Sequence, residues 1–79
     1  MKYKVKIQEL RKEKGLSQQE LADKLNISQM MISKYENKSI DPSLERLVEI
    51  ASILDVSLDE LVEFNKIHDK YSKEIKNKW

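Results

Sequence analysis

The side chains at positions 29, 30 and 34 can make specific contacts with a partner, but they cannot carry out catalysis. Gln29 can form two hydrogen bonds with adenine, Lys34 can donate to O6 and N7 of guanine, and Met30 can pack against the thymine methyl group. The chain has no Cys and one His, and it shows neither a cluster of Asp, Glu and His nor a Gly-rich phosphate loop. The sequence therefore predicts a binding protein that is not an enzyme and needs no metal or cofactor.

Two short predicted helices joined by a tight turn, over residues 17 to 37, position these side chains. Ser17 and Glu20 have the spacing of a capping box at the start of the first helix, and Ser28 caps the second. Asn26 lies between the helices, and Asn tolerates the left-handed backbone that ends a helix. The inner faces are predicted to hold Leu21, Ala22, Leu25, Ile32 and Tyr35. The polar side of the second helix stays exposed, which is typical of a helix-turn-helix reader of DNA.

Five segments of the chain form a pattern with a specific spacing. They are Arg11, GLSQQELA at 15–22, SQMMI at 28–32, Glu36-Asn37 and PSLERL at 42–47. With this pattern, residues 7 to 61 resemble the phage repressor and Cro-like family, also called the XRE-like helix-turn-helix family. The resemblance implies an all-α fold, a compact five-helix lambda-repressor-like DNA-binding domain. The family usually has Gly after Glu-Asn where this chain has Lys38, so either Asn37 is left-handed or the loop has another shape.

The resemblance also implies how the chain binds DNA. Residues 28 to 37 are expected to form a recognition helix that lies in the major groove. The expected base contacts fall on Gln29, Met30, Ser33 and Lys34. Gln18, beside the free N–H groups at the start of the preceding helix, is expected to contact a phosphate. Further expected phosphate contacts are Ser17, Ser28, Asn37, Lys38 and Ser39.

The first helix is predicted over about residues 5 to 14, with Gly15 as its stop. Residues 1 to 6 alternate between apolar side chains and Lys, which indicates either a short strand or a frayed arm. The family pattern pairs Arg11 with Glu36, an ion pair that joins the first helix to the end of the recognition helix. The alternative is that Arg11 is a solvated surface charge.

Two further helices are predicted after the recognition helix. Pro42 is expected in the first turn of the fourth helix, with Asp41 or Ser43 as its cap. The core face of this helix is predicted to hold Leu44, Leu47, Val48, Ile50, Ala51 and Leu54. Ile53 falls outside this face, where it is either exposed, in contact with the fifth helix, or a dimer contact. Residues 57 to 60 form a second capping-box pattern that opens the fifth helix.

The C-terminal segment lies beyond the family pattern, so the predicted domains are residues 1–63 and residues 64–79. An apolar stripe at helical spacing predicts an additional C-terminal helix in this segment. Its members are Phe64, Ile67, Tyr71, Ile75 and Trp79. The stripe covers the domain's own core, a second copy of the chain or a different protein. Two heptads at most are too short to indicate a coiled coil.

The net charge of +1 conceals an uneven distribution of charged residues. Residues 1 to 14 carry six basic and two acidic side chains, and residues 15 to 38 carry three of each. Residues 39 to 63 carry one basic and seven acidic side chains, whereas residues 64 to 79 carry five basic and two acidic ones. The half that is expected to face DNA is therefore more positive than the opposite half, which orients the protein on a polyanion.

One recognition helix reads only a few base pairs, so the expected working form is a homodimer on a palindrome with half-sites about 10 bp apart. This predicts a sequence-specific regulator of transcription, and in particular a repressor, that binds double-stranded DNA in the cytoplasm. No apolar run is long enough for a signal peptide or a membrane span. The alternative is a protein-interaction module, such as the antitoxin of a toxin–antitoxin pair or a coactivator bridge, with a toxin or an anti-repressor as its partner.

Overall fold

The computed structural model describes residues 4–62, which form five α-helices. They are α1 (Ile7–Glu13), α2 (Gln18–Leu25), α3 (Gln29–Glu36), α4 (Leu44–Leu54) and α5 (Leu58–Leu61). The predicted all-α fold with five helices is therefore confirmed. The additional C-terminal helix predicted over residues 64–79 lies outside the described residues, together with its stripe of Phe64, Ile67, Tyr71, Ile75 and Trp79.

An antiparallel bridge between Val5 and Val62 joins the two ends of the described chain. Next to it, the N–H of Lys6 donates to the carbonyl of Leu61 at 2.6 Å. The backbone before α1 is thus committed to the bridge and cannot be helical. For this reason α1 begins at Ile7, and the predicted start near residue 5 was wrong.

Each helix contributes an apolar side chain to a common core. The completely buried examples are Ile7, Leu21, Ile32, Ile50 and Leu61, each 0% exposed. The core is completed by Leu10, Ala22, Leu25, Leu47, Ala51 and Leu54, and Tyr35 packs against it. Because α2 packs against both α3 and α4, and α1 packs against the same two helices, the core lies among these four helices. The predicted inner faces of α2 and α3 are confirmed.

A serine hydroxyl starts each helix from α2 to α5. Ser17, Ser28, Ser43 and Ser57 each accept a hydrogen bond of 3.0 to 3.2 Å from the backbone N–H three residues later. The side chain of Glu20 in turn accepts a hydrogen bond from the N–H of Ser17, which completes the predicted capping box. At α4 the cap is Ser43 and not Asp41. Pro42 therefore precedes the cap, and its predicted place in the first turn was wrong.

The helices α1 and α2 are each followed by a residue with left-handed backbone. Gly15 after α1 has φ 72°, and Asn26 after α2 has φ 58°. Both had been predicted to end their helices, because Gly has no Cβ to clash and Asn tolerates this backbone better than most residues. The short turn at Asn26 sets the direction in which α3 leaves α2.

The core face of α4 is narrower than the sequence predicted. Leu44 is 70% exposed and Val48 is 45% exposed, so neither belongs to the core. At about 100° per residue they lie on one edge of the helix, which the other helices of residues 4–62 leave exposed. Ile53, on the opposite edge, is half-buried and packs against the core. The alternative that left Ile53 as an exposed apolar residue was wrong.

Candidate nucleic-acid interface

The four predicted base-contact side chains lie together on one side of α3. Gln29 and Ser33 are four residues apart, as are Met30 and Lys34, so the two pairs form adjacent rows on the helix surface. Met30 is 67% exposed and Gln29 is exposed, whereas Ser33 and Lys34 are half-buried. Ile32, which faces the other way, is completely buried. α3 therefore presents a mixed polar and apolar surface of the kind that can fit base edges.

An ion pair fixes the C-terminal end of α3 to α1. Nε of Arg11 donates to Oε2 of Glu36 at 2.8 Å, and Nη2 donates to Oε1 at 3.2 Å. Nη1 of Arg11 donates to the carbonyl of Leu16 at 2.8 Å, so the guanidinium also holds the loop before α2. The side chains of Arg11 and Glu36 are 8% and 5% exposed, so Arg11 is not a solvated charge. The pair is present as the family pattern implied.

Gln18 connects this ion pair to the exposed surface of α3. Its Nε2 donates to Oε1 of Glu36 at 3.0 Å, and its Oε1 accepts a hydrogen bond of 3.3 Å from Nε2 of Gln29. A continuous series of contacts therefore runs from Arg11 through Glu36 and Gln18 to Gln29. The start of α2, both ends of α3 and the middle of α1 are held in one arrangement.

The start of α2 retains backbone donors that can meet an anion. The N–H groups of Gln18 and Gln19 have no acceptor within the helix, because the first intrahelical bond is made by Leu21 to Ser17. The positive end of the helix dipole adds to these donors. Since the amide of Gln18 already contacts Glu36 and Gln29, a phosphate at this place would meet the backbone of Gln18 first.

In the loop after α3, the position where the family usually has Gly is left-handed although it holds Lys38. The sequence had not indicated this conformation for Lys38. Lys38 itself is left-handed, with φ 66°, whereas Asn37 has φ −89°. Oδ1 of Asn37 accepts a bond of 2.9 Å from the N–H of Ser39, and the Ser39 hydroxyl also donates to it. This side-chain turn braces the loop, and the alternative in which Asn37 is left-handed was wrong. Lys38 and Ser39 are exposed at its tip.

The positive charge near α3 is available to a partner. Within residues 4–62, Lys34 and Lys38 form no ion pair with an acidic side chain. Residues 39 to 62 contain six acidic side chains and only Arg46 as a basic one, and Arg46 lies 3.5 Å from Glu49. The charges of the described residues therefore favour an anion at the surface of α3 over one at α4 and α5.

Comparison with known proteins gives the family of this chain. The model of a family described as "Helix-turn-helix" matches residues 7–61, the same residues that carry the resemblance seen in the sequence. The chain belongs to the helix-turn-helix family. Relatives within this family include a protein of Vibrio cholerae, the cryptic phage CTXphi transcriptional repressor RstR, at 39% identity over 61 residues, which are 77% of this chain and 54% of RstR.

Two Bacillus subtilis proteins of the same kind are also similar to this chain. The uncharacterized HTH-type transcriptional regulator YqaE is 45% identical over 56 residues, which are 71% of this chain and 48% of YqaE. The HTH-type transcriptional regulator SinR is 33% identical over 75 residues, 94% of this chain and 67% of SinR. The chain thus spans about half the length of YqaE.

Solved structures of SinR share the fold. The N-terminal DNA-binding domain of Bacillus subtilis SinR has a TM-score of 0.64 at 37% identity, covering 71% of this chain and 83% of that domain. A crystal structure of SinR in complex with DNA has a TM-score of 0.65 at 37% identity, covering 71% of this chain and 90% of that one. The helix-turn-helix fold predicted here is therefore that of a domain which has been seen bound to DNA.

The contacts of Gln18 with Glu36 and Gln29 were not predicted from the sequence. One feature pointed to them: Gln18 and Gln29 are each the first residue of a helix, directly after a serine cap. Two helices that cross near their starts bring such positions close together. Over residues 4–62, no group of His, Asp and Glu side chains is arranged to hold a metal ion, and no helix is long and apolar enough to cross a membrane.

Proposed function

We propose that this chain is a DNA-binding transcriptional regulator that recognises its site by placing α3 in the major groove of double-stranded DNA. The observation that carries the proposal is the outer surface of α3. It carries the exposed side chains of Gln29 and Met30 and the half-buried side chains of Ser33 and Lys34, while the buried Ile32 and the Arg11–Glu36 ion pair hold the helix from behind. A recognition helix needs this combination, because base-edge contacts discriminate only when the helix is held in one register.

The proposed base contacts follow from the chemistry of each side chain. Gln29 pairs with the N6 and N7 positions of adenine, and Lys34 donates to O6 and N7 of guanine. Met30, which is 67% exposed, packs against a thymine methyl group. Ser33, between them on the helix surface, has a hydroxyl that can donate or accept. The role is binding, without catalysis and without a cofactor.

The proposed phosphate contacts flank α3 at both of its ends. On one side are the backbone N–H groups of Gln18 and Gln19, together with the serine caps Ser17 and Ser28. On the other side is the loop of Asn37, Lys38 and Ser39, whose lysine is exposed and carries the charge. Such contacts fix the position of the protein on the duplex but do not read its sequence. Lys38 supplies affinity, whereas Lys34 supplies discrimination.

A homodimer on a palindromic site is the proposed working form, and repression of transcription in the cytoplasm is the proposed outcome. The few base pairs read by one α3 are too few to define a site in a genome, and a two-fold dimer doubles them. The relative RstR is named as a transcriptional repressor, which favours the same direction of regulation here. Ile53 is half-buried against the core, so the contacts of such a dimer would have to come mainly from elsewhere, including the predicted stripe of residues 64–79.

Selection of bound sequences from a pool of random duplexes tests this function. The intact chain is used at about 150 mM salt, because nonspecific phosphate binding dominates at low salt. The expected result is an enriched palindrome with half-sites about 10 bp apart. A matched variant with Gln29→Ala and Lys34→Ala should remain folded by circular dichroism and lose the enrichment. If the intact chain enriches no sequence and its binding only fades with salt, the proposed function is wrong.

A second arm of the same selection uses a version of the chain that ends at Asn65. Loss of the palindrome, with retention of a single enriched half-site, would assign dimerisation to the residues that were removed. An unchanged palindrome would place the dimer contacts within the helix-turn-helix domain. Analytical ultracentrifugation of both versions without DNA, at the concentrations used for selection, separates dimerisation in solution from dimerisation on DNA.

A further inference from the structure

The outer surface of α3 carries an accessible thioether. The chain has no Cys and three Met, so its sulfur chemistry is that of methionine. Met30 is 67% exposed, whereas the next residue, Met31, is half-buried. Adjacent residues of a helix project about 100° apart, so the two side chains leave α3 in different directions. An oxidant dissolved in water therefore reaches Sδ of Met30 more readily than Sδ of Met31.

A peroxide converts such a thioether into a sulfoxide in a two-electron step. A lone pair on Sδ attacks one oxygen of hydrogen peroxide, so that an S–O bond forms while the O–O bond breaks. The sulfur is oxidised, the peroxide is reduced, and the second oxygen leaves as hydroxide. The proton on the new S–OH group passes to that hydroxide and gives water. Methionine sulfoxide reductases reverse the change.

The added oxygen changes what Met30 can contact in the major groove. The thioether is proposed to pack against the methyl group of thymine, and thymine presents the acceptor O4 beside that methyl. A sulfoxide oxygen is also an acceptor, so at this place it would face O4 without a donor between them. Oxidation therefore replaces a favourable apolar contact by an unfavourable polar one.

The same oxygen lies within reach of a second base contact. Lys34 follows Met30 by four residues, and side chains at this spacing are neighbours on the helix surface, with Cβ atoms about 5–6 Å apart. Within residues 4–62, Lys34 forms no ion pair with an acidic side chain that would compete for its ammonium group. Nζ of Lys34 can thus donate a charge-assisted hydrogen bond to the sulfoxide. Lys34 is then drawn away from guanine.

We propose that Met30 is a reversible oxidation site, and that its sulfoxide form weakens the binding of α3 to its DNA sequence. The modifying reagent is a peroxide, and the partner that restores the thioether is a methionine sulfoxide reductase. The proposal rests on the proposed function, because its consequence requires α3 to read bases. Ile32 and the Arg11–Glu36 ion pair are buried behind the helix, so the oxidised domain keeps its fold.

The reactivity of the two methionines is measured on the intact chain without DNA. Samples taken during treatment with hydrogen peroxide are digested with trypsin, and fragment ions of LNISQMMISK, residues 25 to 34, separate Met30 from Met31. In the folded chain, Met30 should oxidise about twofold faster or more, because susceptibility follows exposure. In urea the two rates should converge. Equal rates in the folded chain would overturn the proposal.

The effect on DNA is measured with a pair of variants that differ only at position 30. One is Met31→Leu, a volume-conserving change at the half-buried neighbour. The other combines Met31→Leu with Met30→Leu. Each protein is compared with itself before and after peroxide, on the duplex selected by the intact chain. Circular dichroism confirms that the treated proteins remain folded.

Peroxide should weaken binding by Met31→Leu about tenfold or more, the cost of one mismatched base pair. Its preferences for thymine and guanine at the base pairs read by Met30 and Lys34 should both fall. The double variant, which lacks the thioether at position 30, should be unaffected. Methionine sulfoxide reductases A and B together should restore binding by Met31→Leu, because each reduces one epimer of the sulfoxide.

These outcomes separate the two proposals. If the untreated intact chain enriches no sequence, the proposed function is wrong and this proposal fails with it. If a sequence is enriched but oxidised Met31→Leu binds it as tightly as before, the oxidation site alone is refuted. An equal loss of binding in the double variant refutes it as well, because the damage would then lie elsewhere in the chain.

Discussion

Nε of Arg11 lies 2.8 Å from Oε2 of Glu36, and the two side chains are 8% and 5% exposed. The two residues are 25 positions apart in sequence, and their ion pair joins the middle of α1 to the end of α3. It holds α3 in place without occupying the surface that is proposed to face DNA. Stability of the domain and orientation of α3 therefore depend on the same two charges.

Replacing Glu36 by Ala should destabilise the domain by about 3 to 5 kcal/mol, because the guanidinium of Arg11 stays buried without its counter-charge. The matched control is Glu49→Ala. Glu49 pairs with Arg46 at 3.5 Å near the surface, where such pairs are worth about 0 to 1 kcal/mol. Urea unfolding followed by circular dichroism compares the two variants. Equal losses of stability in the two variants would mean that the buried ion pair stabilises the domain no more than the surface pair does.

The two lysines near α3 should affect DNA binding in different ways. Lys34→Ala should relax the preference at one base pair, because it removes a donor to guanine. Lys38→Ala should weaken binding to specific and random duplexes alike and reduce the slope of log K against log salt by about one. Titrations with both duplexes at several salt concentrations distinguish these effects. If the two variants behave alike on both duplexes, the proposed docking of α3 is wrong.

Lys38→Gly should change stability and DNA binding in opposite directions. Lys38 is left-handed, with φ 66°, which costs a residue with a Cβ about 1 to 2 kcal/mol. Gly avoids this cost but has more freedom in the unfolded chain, so a net gain of about 0.5 to 1 kcal/mol is expected. Affinity for DNA should fall as far as in Lys38→Ala, since both variants lack the charge. A loss of stability would show that the side chain of Lys38 makes a favourable contact in the fold.

Gly15→Ala provides the reciprocal change at the end of α1. Gly15 has φ 72°, and a Cβ built there meets no atom within 4 Å, so only the backbone conformation opposes a side chain. The expected loss is about 1 kcal/mol in urea unfolding. Gly15→Asn should lose less, because Asn tolerates the left-handed region better than Ala does. An Ala variant as stable as the original chain would contradict this account of how α1 ends.

Local rules predicted much of the fold. Serine and glutamate at capping spacing placed the starts of α2 and α5, and Ser28 alone placed the start of α3; the chain begins these helices within a residue of the predicted positions. Asn26 and Gly15 were predicted to turn the chain because few residues accept a left-handed backbone. In these cases the decisive interaction lies within four residues along the chain, so the sequence displays it directly.

The features that were predicted wrongly depend on what the rest of the fold supplies. Helical periodicity gave α4 a broad apolar face, but the neighbouring helices cover only part of it, and Leu44 and Val48 stay outside. Val5 continued the helical pattern, yet its backbone pairs with Val62, 57 positions away. The contacts of Gln18 required two helix starts to meet in space. Sequence spacing along one helix contains no information on such meetings.

Substitutions on α4 should distinguish its true core face from its predicted one. Leu47 is 4% exposed, and Leu47→Ala should cost about 2 to 5 kcal/mol through lost burial and the cavity that remains. Leu44, in the first turn of the same helix, is 70% exposed, and Leu44→Ala should change stability by no more than about 0.5 kcal/mol. Urea unfolding of both variants tests this contrast. A large loss of stability in Leu44→Ala would show that Leu44 belongs to the core of the folded chain after all.

The capping box at the start of α2 should make part of the stability depend on pH. Oε1 of Glu20 accepts a hydrogen bond of 3.0 Å from the N–H of Ser17. This bond is the main cause, and the bond with the Ser17 side chain the second, of a pKa for Glu20 below its ordinary value of 4.5. A carboxyl with a lowered pKa binds its proton less readily when folded. Its contribution to stability is therefore complete above the ordinary value and is lost as the pH falls through the lowered one.

Glu20→Gln removes this titration but keeps an amide oxygen that can complete the capping box. The original chain should be the more stable of the two near pH 6, and the difference should shrink as the pH is lowered to about 3. Because Glu20 is exposed, the difference is expected to be small, so unfolding midpoints in urea should be compared in parallel at each pH. A difference that stays constant across this range would show that the negative charge of Glu20 does not stabilise the start of α2.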